Sequence, residues 1–273
     1  MTINCKGNLI DLRKPKIMGI LNVTPDSFFD GGNYKDENAM LTQVEKMLLE
    51  GATFIDVGAY SSRPGADEVS EEEELKRILP IVTLLLHKFP DILLSIDTFR
   101  SSVAAKCIAV GAALINDISA GKLDENMFST IATLKVPYIM MHMKGNPQTM
   151  QSQTSYENLI IEMRYYFSER IAAARALGMH DIIIDPGFGF SKTKAQNFEI
   201  LKNIDLLQSH KLPILVGLSR KSMIYKTLGT TPENALNGTT ALHMFALNKG
   251  ANIIRAHDVK EIAECIQLAE NLM

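Results

Sequence analysis

Short apolar runs recur along this chain, and they keep ending on a polar residue that an ordinary core would not accept. Ile17-Met18-Gly19-Ile20-Leu21 closes on Asn22, Ile92-Leu93-Leu94-Ser95-Ile96 on Asp97, Ala113-Leu114-Ile115 on Asn116, and Ile182-Ile183-Ile184 on Asp185. Ile253-Ile254 runs into Arg255-Ala256-His257. Parallel strands covered on both faces read as continuous apolar runs rather than as alternating patterns. In a closed parallel barrel, the C-terminal strand ends and the loops that follow them carry the chemistry. Such a pattern constrains the fold and the location of the site together.

Eight strand candidates fall at about 17–22, 53–57, 92–96, 113–116, 137–141, 182–185, 213–216 and 252–254, with helical patterns between them. Ser70-Glu71-Glu72-Glu73 fits a capping box, Thr231-Pro232-Glu233 places proline at a first helical position, and Asp258 is expected to cap the last helix. The acidic run Glu71 to Glu74 reads as a solvated first turn favoured by the helix dipole. The longest helix, at about 155–177, spaces Ile160, Met163, Phe167 and Ile171 along one face. Eight alternating units predict an α/β fold, a single (β/α)8 barrel over 1–273, with an open doubly wound sheet as the alternative.

A hydrophobic content of 46% with 22% charged residues excludes a disordered chain. The balance of 28 basic against 31 acidic residues leaves no global positive field for nucleic acid or an anionic membrane, so any anion must be held locally. No apolar stretch has the length of a spanning helix and no secretory pattern opens the chain, which leads to a cytoplasmic expectation. Cys5, Cys107 and Cys265 are scattered, without a CxxC pair, and read as small buried apolar residues.

The loop from Asn22 to Gly32 is polar, glycine-rich and long for a βα connection. Its Asn and Asp oxygens suit Mg²⁺, which takes one or two protein ligands and leaves the rest of its shell to water and substrate phosphate; turn formation and capping are the plain alternative for Asp26 and Asp30. Ser61-Ser62-Arg63-Pro64-Gly65 groups two hydroxyls with a guanidinium, an arrangement suited to an anion. Gly217 to Met223 opens a helix where barrels often hold phosphate, and either Lys221 or Arg220 faces the pocket. Arg255 and His257 stand two residues apart and so project to the same side of an extended segment. Asp97, Asn116 and Asp185 suit the edge of a nitrogen-rich heterocycle, with a metal cluster as the rival reading, and Asp56 reads as a buried hydrogen-bonding support. Asp185 to Thr193 is glycine-rich but matches neither a P-loop nor GxGxxG, and no serine nucleophile elbow is present.

Seven ordered segments together resemble one family, the dihydropteroate synthases of the folate pathway, which sulfonamides inhibit. They are Met18 to Phe28, Ser62-Arg63-Pro64-Gly65, Ser95-Ile96-Asp97-Thr98, Ile115-Asn116-Asp117, Asp185 to Phe190, Ser219-Arg220-Lys221-Ser222 and Arg255 to Val259. The resemblance implies a TIM barrel, usually dimeric, joining p-aminobenzoate to 6-hydroxymethyl-7,8-dihydropterin diphosphate with release of pyrophosphate. It implies that Asp97, Asn116, Asp185 and Lys221 hold the pterin, that Asn22 binds Mg²⁺, and that Ser62, Arg63, Arg255 and His257 hold the diphosphate. Phe28, Asp30, Pro64 and Ser222 would then help form the aminobenzoate site. Asp30, Arg63, Lys221, Arg255 and His257 are the residues expected to touch the chemistry. Where the family often has Gly-Glu-Ser-Thr-Arg, this chain has Ala59-Tyr60-Ser61-Ser62-Arg63, and Leu218 stands where a small polar residue is common. A pterin-dependent methyltransferase on the same barrel is the alternative, but it has no need of the phosphate-binding set Arg63, Lys221, Arg255 and His257.

Overall fold

The computed structural model describes residues 1–22, 34–60 and 69–272. Eight parallel strands form one sheet: β3 (Lys16–Asn22), β4 (Phe54–Gly58), β5 (Leu94–Asp97), β6 (Leu114–Asp117), β7 (Tyr138–Met141), β8 (Ile182–Asp185), β9 (Leu215–Val216) and β10 (Ile253–Ala256). Their order is β8-β7-β6-β5-β4-β3-β10-β9, and a parallel bridge between Ile184 and Ile214 brings the last strand back to β8. The sheet therefore closes into the expected barrel. All eight strand candidates are present. β6, β7 and β8 are buried at every position, which is why they read as unbroken apolar runs.

Helices α1 (Tyr34–Leu49), α2 (Glu71–Lys88), α3 (Ser101–Ala109), α4 (Met127–Leu134), α5 (Leu159–Ala176), α6 (Lys194–Lys202), α7 (Ser222–Leu228), α8 (Leu236–Asn248) and α9 (Val259–Glu270) alternate with the strands. Ile160, Met163, Phe167 and Ile171 of α5 are buried together, as their spacing predicts, and all three cysteines are buried and free.

An N-terminal hairpin, β1 (Thr2–Cys5) with β2 (Asn8–Asp11), is not among the strands expected from sequence. Its two turn residues, Lys6 and Gly7, have φ of 55° and 84°, and Asn4 Oδ1 accepts the Gly7 N–H at 2.9 Å. Two-residue turns of this hand match the twist of the strands they join. Ile3, Cys5 and Leu12 pack with Met18, Phe54, Leu114, Ile139, Ile183, Leu215 and Ile253, side chains from the early part of the barrel strands. The hairpin thus plugs the end of the barrel opposite the polar strand ends.

Three local expectations are corrected. Glu74 is buried rather than solvated: it accepts from Thr98 Oγ1 at 2.7 Å and from the Arg100 guanidinium, so only the first three glutamates of the run are left to the helix dipole. No helix starts at Pro232. Helix α8 starts at Leu236, because the Pro232 and Glu233 carbonyls accept from Arg220 Nη1 at 3.1 and 2.8 Å. Asp258 stands at the N-cap of α9, but its carboxylate is taken by Arg220 and makes no cap bond. Ser70 does cap α2, accepting the Glu73 N–H at 3.2 Å.

If the hairpin is a plug, Ile3→Ala should lower unfolding free energy by about 2–5 kcal/mol, because it leaves a cavity in a closed core. Leu9→Ala, at a side chain 73% exposed on the same hairpin, should stay within about 0.5 kcal/mol of the parent. Denaturant unfolding of the two variants measures both.

Candidate active site at the strand ends

Four neighbouring positions build a polar layer inside the upper barrel. Arg255 projects from β10, Asp56 from the middle of β4, Asp97 from the end of β5 and Asn116 from β6, where Asp97 and Asn116 are register partners. Arg255 Nε donates to Asp56 Oδ2 at 2.6 Å and Nη2 donates to Asp97 Oδ2 at 3.1 Å. Asn116 Nδ2 donates to the same Asp56 oxygen at 3.1 Å. One guanidinium thus reaches from β10 past β3 to β4 and β5 and links two carboxylates. Burial, with the Asp56 charge adding to it, pushes the Asp97 carboxyl up to about 7 despite Arg255. Burial works against the Arg255 charge too, but Asp56 and Asp97 outweigh it and hold the guanidinium above its ordinary range.

On the opposite side, Asp185 ends β8 and accepts the Gly187 N–H at 2.7 Å. Burial raises its carboxyl, and the Lys221 ammonium is the main opposing influence. Lys221 is the pocket-facing member of the Arg220-Lys221 pair. Its ammonium donates to the Phe188 carbonyl and lies 5.0 Å from the centre of the Phe190 ring. Burial brings Lys221 down to about 8, with Asp185 pulling the other way. Arg220, at φ 54°, turns outward into a two-pronged pair with Asp258, at 2.9 and 2.7 Å.

Sequence reasoning missed Lys192. Its buried ammonium donates to the carbonyls of His142, Gly187 and Phe190 at 3.2, 3.0 and 2.8 Å, and burial holds it well below the ordinary lysine range. It clasps the turn that supplies Asp185 and the Phe188 carbonyl. The signal lay in the segment rejected as a P-loop, where a lysine follows a glycine-rich turn without a phosphate-loop spacing. Gly187 itself has φ 69°, and a Cβ there would meet the His142 carbonyl at 2.3 Å.

His257 follows β10, with Nδ1 3.0 Å from Ser219 Oγ, and its backbone N–H donates to the same oxygen at 3.2 Å. Ser219, quoted only as part of a motif, therefore sets the imidazole's orientation. Ser222 is the exposed first residue of α7, with no contact among the described residues that assigns it a role. Asn22 is exposed at the end of β3, opposite Gly58. Phe28, Asp30, Ser62, Arg63 and Pro64 lie outside the described residues. Tyr60, at the family's glutamate position, packs edge-on against Phe99 with centroids 5.2 Å apart, and Arg100 lies over its ring at 5.5 Å. Leu218 is fully buried in the core.

The strand-end arrangement offers carboxylate and amide acceptors on one wall and an ammonium on the other, which is the complement of a flat heterocycle carrying ring N–H and amino donors beside a carbonyl acceptor. A family model described as pterin binding enzyme matches residues 18–257. The dihydropteroate synthase of Escherichia coli K12 is 41% identical over 272 residues, which is 99% of this chain and 96% of that protein. A crystal structure of the Yersinia pestis dihydropteroate synthase with a sulfonamide drug complex superposes with a TM-score of 0.92 at 40% identity, covering 100% of this chain and 99% of that one. The Xanthomonas albilineans dihydropteroate synthase in complex with 7,8-dihydropteroate superposes with a TM-score of 0.88 at 33% identity, covering 100% and 98%.

Space rather than φ alone should decide what the turn tolerates. Gly178→Ala, at φ 82° with nothing within 4 Å of the new Cβ, should cost about 1–2 kcal/mol, the left-handed penalty alone. Gly187→Ala carries the same penalty and adds a backbone clash, so its melting temperature should fall well below that of Gly178→Ala in a thermal denaturation series.

Proposed function

Because the chain belongs to the dihydropteroate synthases, transferases of folate biosynthesis, we propose that the strand-end polar layer is its pterin site. The reaction joins p-aminobenzoate to 6-hydroxymethyl-7,8-dihydropterin diphosphate, giving 7,8-dihydropteroate and pyrophosphate. The observation that carries the site assignment is the convergence of Asp97, Asn116 and Asp185 with the Lys221 ammonium at one end of the barrel. The two carboxylates and the Asn116 carbonyl accept from the amino-pyrimidine edge, while Lys221 donates to the pterin carbonyl. A single pterin-binding domain over 1–273 is part of this reading.

An arylamine is neutral and nucleophilic near pH 7, so the reaction needs a stabilised leaving group more than a strong base. The substitution at the pterin methylene is dissociative in this reading: the bond to the diphosphate oxygen breaks ahead of attack by the amine nitrogen, which then gives up its proton. Asp97 and Asp185 favour positive charge spreading into the dihydropterin ring. On the diphosphate side, Arg63 and Ser62 act with His257, whose ring Ser219 orients. Arg255 uses Nε and Nη2 on Asp56 and Asp97, which leaves Nη1 as its contribution toward the diphosphate. Phe28, Asp30, Pro64 and Ser222 belong to the aminobenzoate end.

The residues present fit Mg²⁺ as a lightly held ion. Among the described residues no three His, Cys, Asp or Glu side chains gather to hold a metal, whereas the exposed Asn22 offers one hard amide oxygen, which suits a cation that keeps water and phosphate in its shell. When bound there, Mg²⁺ would supply positive charge to the departing pyrophosphate.

A second copy of the chain is the expected partner. Leu228, Phe245 and Leu268, exposed apolar side chains on the successively packed α7, α8 and α9, support a homodimer. No helix among the described residues is long and apolar enough to cross a membrane; a cytoplasmic location is part of the proposed reading.

Pyrophosphate release should require dihydropterin diphosphate, p-aminobenzoate and Mg²⁺ together and stop when any one is omitted. Pterin binding without release under complete conditions would favour the methyltransferase alternative, which a methyl-folate substrate would then test. In the pH profile, kcat/KM for the pterin substrate should rise through about 7 as Asp97 loses its proton and fall through about 8 as Lys221 loses its own. Asp97→Asn should abolish the rising limb and Lys221→Met the falling one, each with at least a tenfold loss at the optimum.

A further inference from the structure

Asp56 lies one layer below the residues assigned to the ligand, and its hydrogen bonding is lopsided. Oδ2 accepts both Arg255 Nε, at 2.6 Å, and Asn116 Nδ2, at 3.1 Å. Oδ1 is buried and accepts nothing among the described residues. Buried polar atoms in folded proteins are nearly always satisfied, so a carboxylate that uses one oxygen twice and the other not at all is poorly explained by stability alone. It stands in the middle of β4, opposite Ser95 of β5.

The chemistry of the Asn116 contact is directional. A carboxylate set against a guanidinium accepts hydrogen bonds and has none to donate. Asn116 therefore has to turn its NH₂ group toward Asp56, and that fixes its carbonyl oxygen on the far side of the amide, away from Asp56. With Asp97, its register partner, the amide then presents acceptors to the ligand from β5 and β6. Arg255 is fixed by the same oxygen, and through Nη2 it holds one oxygen of Asp97, leaving the other to a ligand.

We infer that Asp56 is a positioning residue for the pterin site: it touches no substrate, but it sets the Asn116 amide with its carbonyl toward the ligand and anchors Arg255 against Asp97. The inference rests on the pterin reading of the strand-end layer and adds to it the residue that gives the layer its polarity. It also separates the two acidic residues of the network by role. Asp97 meets the ligand, whereas Asp56 acts through Asn116 and Arg255.

A double-mutant cycle tests this, with dihydropterin diphosphate binding followed by fluorescence and p-aminobenzoate KM measured alongside. Asp56→Ala removes the acceptor shared by Arg255 and Asn116 and should weaken pterin binding by at least tenfold while the p-aminobenzoate KM stays within about twofold. Asn116→Ala should also cost at least tenfold, and Asp56→Ala added to the same chain should weaken binding by less than a further threefold, because the amide it positions is already gone. Asp56→Asn keeps an oxygen for both donors and should bind within about threefold of the parent. Ser95→Ala removes a buried, unpartnered hydroxyl at the register neighbour of Asp56 and should leave pterin binding within about twofold. The inference is overturned if the two losses multiply in the double variant, or if Asp56→Ala binds like the parent. If Asp56→Ala does not fold, Asp56→Leu, which fills the same space, takes its place in the cycle. Failure of the parent protein to bind the pterin would instead overturn the pterin reading itself.

Discussion

A guanidinium reaching across the upper barrel from β10 is the interaction on which the rest of the site depends. Arg255 is the shared counter-charge of two carboxylates that are otherwise enclosed by strand backbones and apolar side chains. Without it, burial and the neighbouring Asp56 charge would raise the Asp97 carboxyl further. With it, Asp97 is poised near neutrality and Asn116 has an oriented partner. The barrel makes this arrangement possible because strand ends from β4, β5, β6 and β10 converge inside it, although Asp56 and Arg255 are 199 residues apart in sequence.

Around that layer, turns are held by side chains that bond to backbone rather than to ligand. Lys192 clasps three carbonyls around the turn after β8, and Asp117 accepts from Ser119, Gly121 and Tyr138 to fix the turn after β6. Arg220 joins the turn before α8 to the start of α9 through two carbonyls and Asp258. Each clasp satisfies backbone or side-chain groups that a tight, partly buried turn would leave without partners. Lys192, Asp117 and Arg220 thus hold the turns around the strand-end layer, while Asp185 and Lys221 each make a backbone contact of their own within it.

How much of this was legible in the sequence follows from the same physics. The strand ends were legible because a strand buried on both faces gives a polar side chain no solvent to reach, so Asp97, Asn116, Asp185 and Arg255 stand out by contrast. Partner choice was not legible. Arg220 and Lys221 are adjacent cations, and which one faces in is decided by a positive φ at Arg220 and by Asp258, 38 residues away. Glu74 looks like one of four solvated acids until Thr98 and Arg100 arrive from the next strand-helix connection. The N-terminal hairpin was missed because each strand has only four residues, and its buried Ile3 and Cys5 gain meaning only from the barrel end they close. The loops carrying Phe28, Asp30, Ser62, Arg63 and Pro64 lie outside the described residues, so their assignment rests on motif resemblance.

The charge distribution of the site follows from these contacts and bears on how one substrate is handled at its two ends. The heterocycle side combines Asp56, Asp97 and Asp185 with Arg255, Lys221 and, beside Asp185, Lys192. Burial favours the neutral forms, raising the Asp97 and Asp185 carboxyls and bringing the Lys221 ammonium down. A ring that acquires positive charge as its diphosphate departs favours the ionised carboxylates in return, whereas a neutral ring does not. Under the proposed reading, the buried acids therefore act on the developing charge more than on the resting substrate, and that difference is what accelerates a reaction. The leaving group needs the opposite environment. Under the same reading, half-buried His257 meets the departing pyrophosphate just past the end of β10, with Arg63 assigned to it by motif alone. The proposed site then sets acids against the ring and cations against the leaving group, so that the two halves of the scissile bond are drawn toward opposite charges.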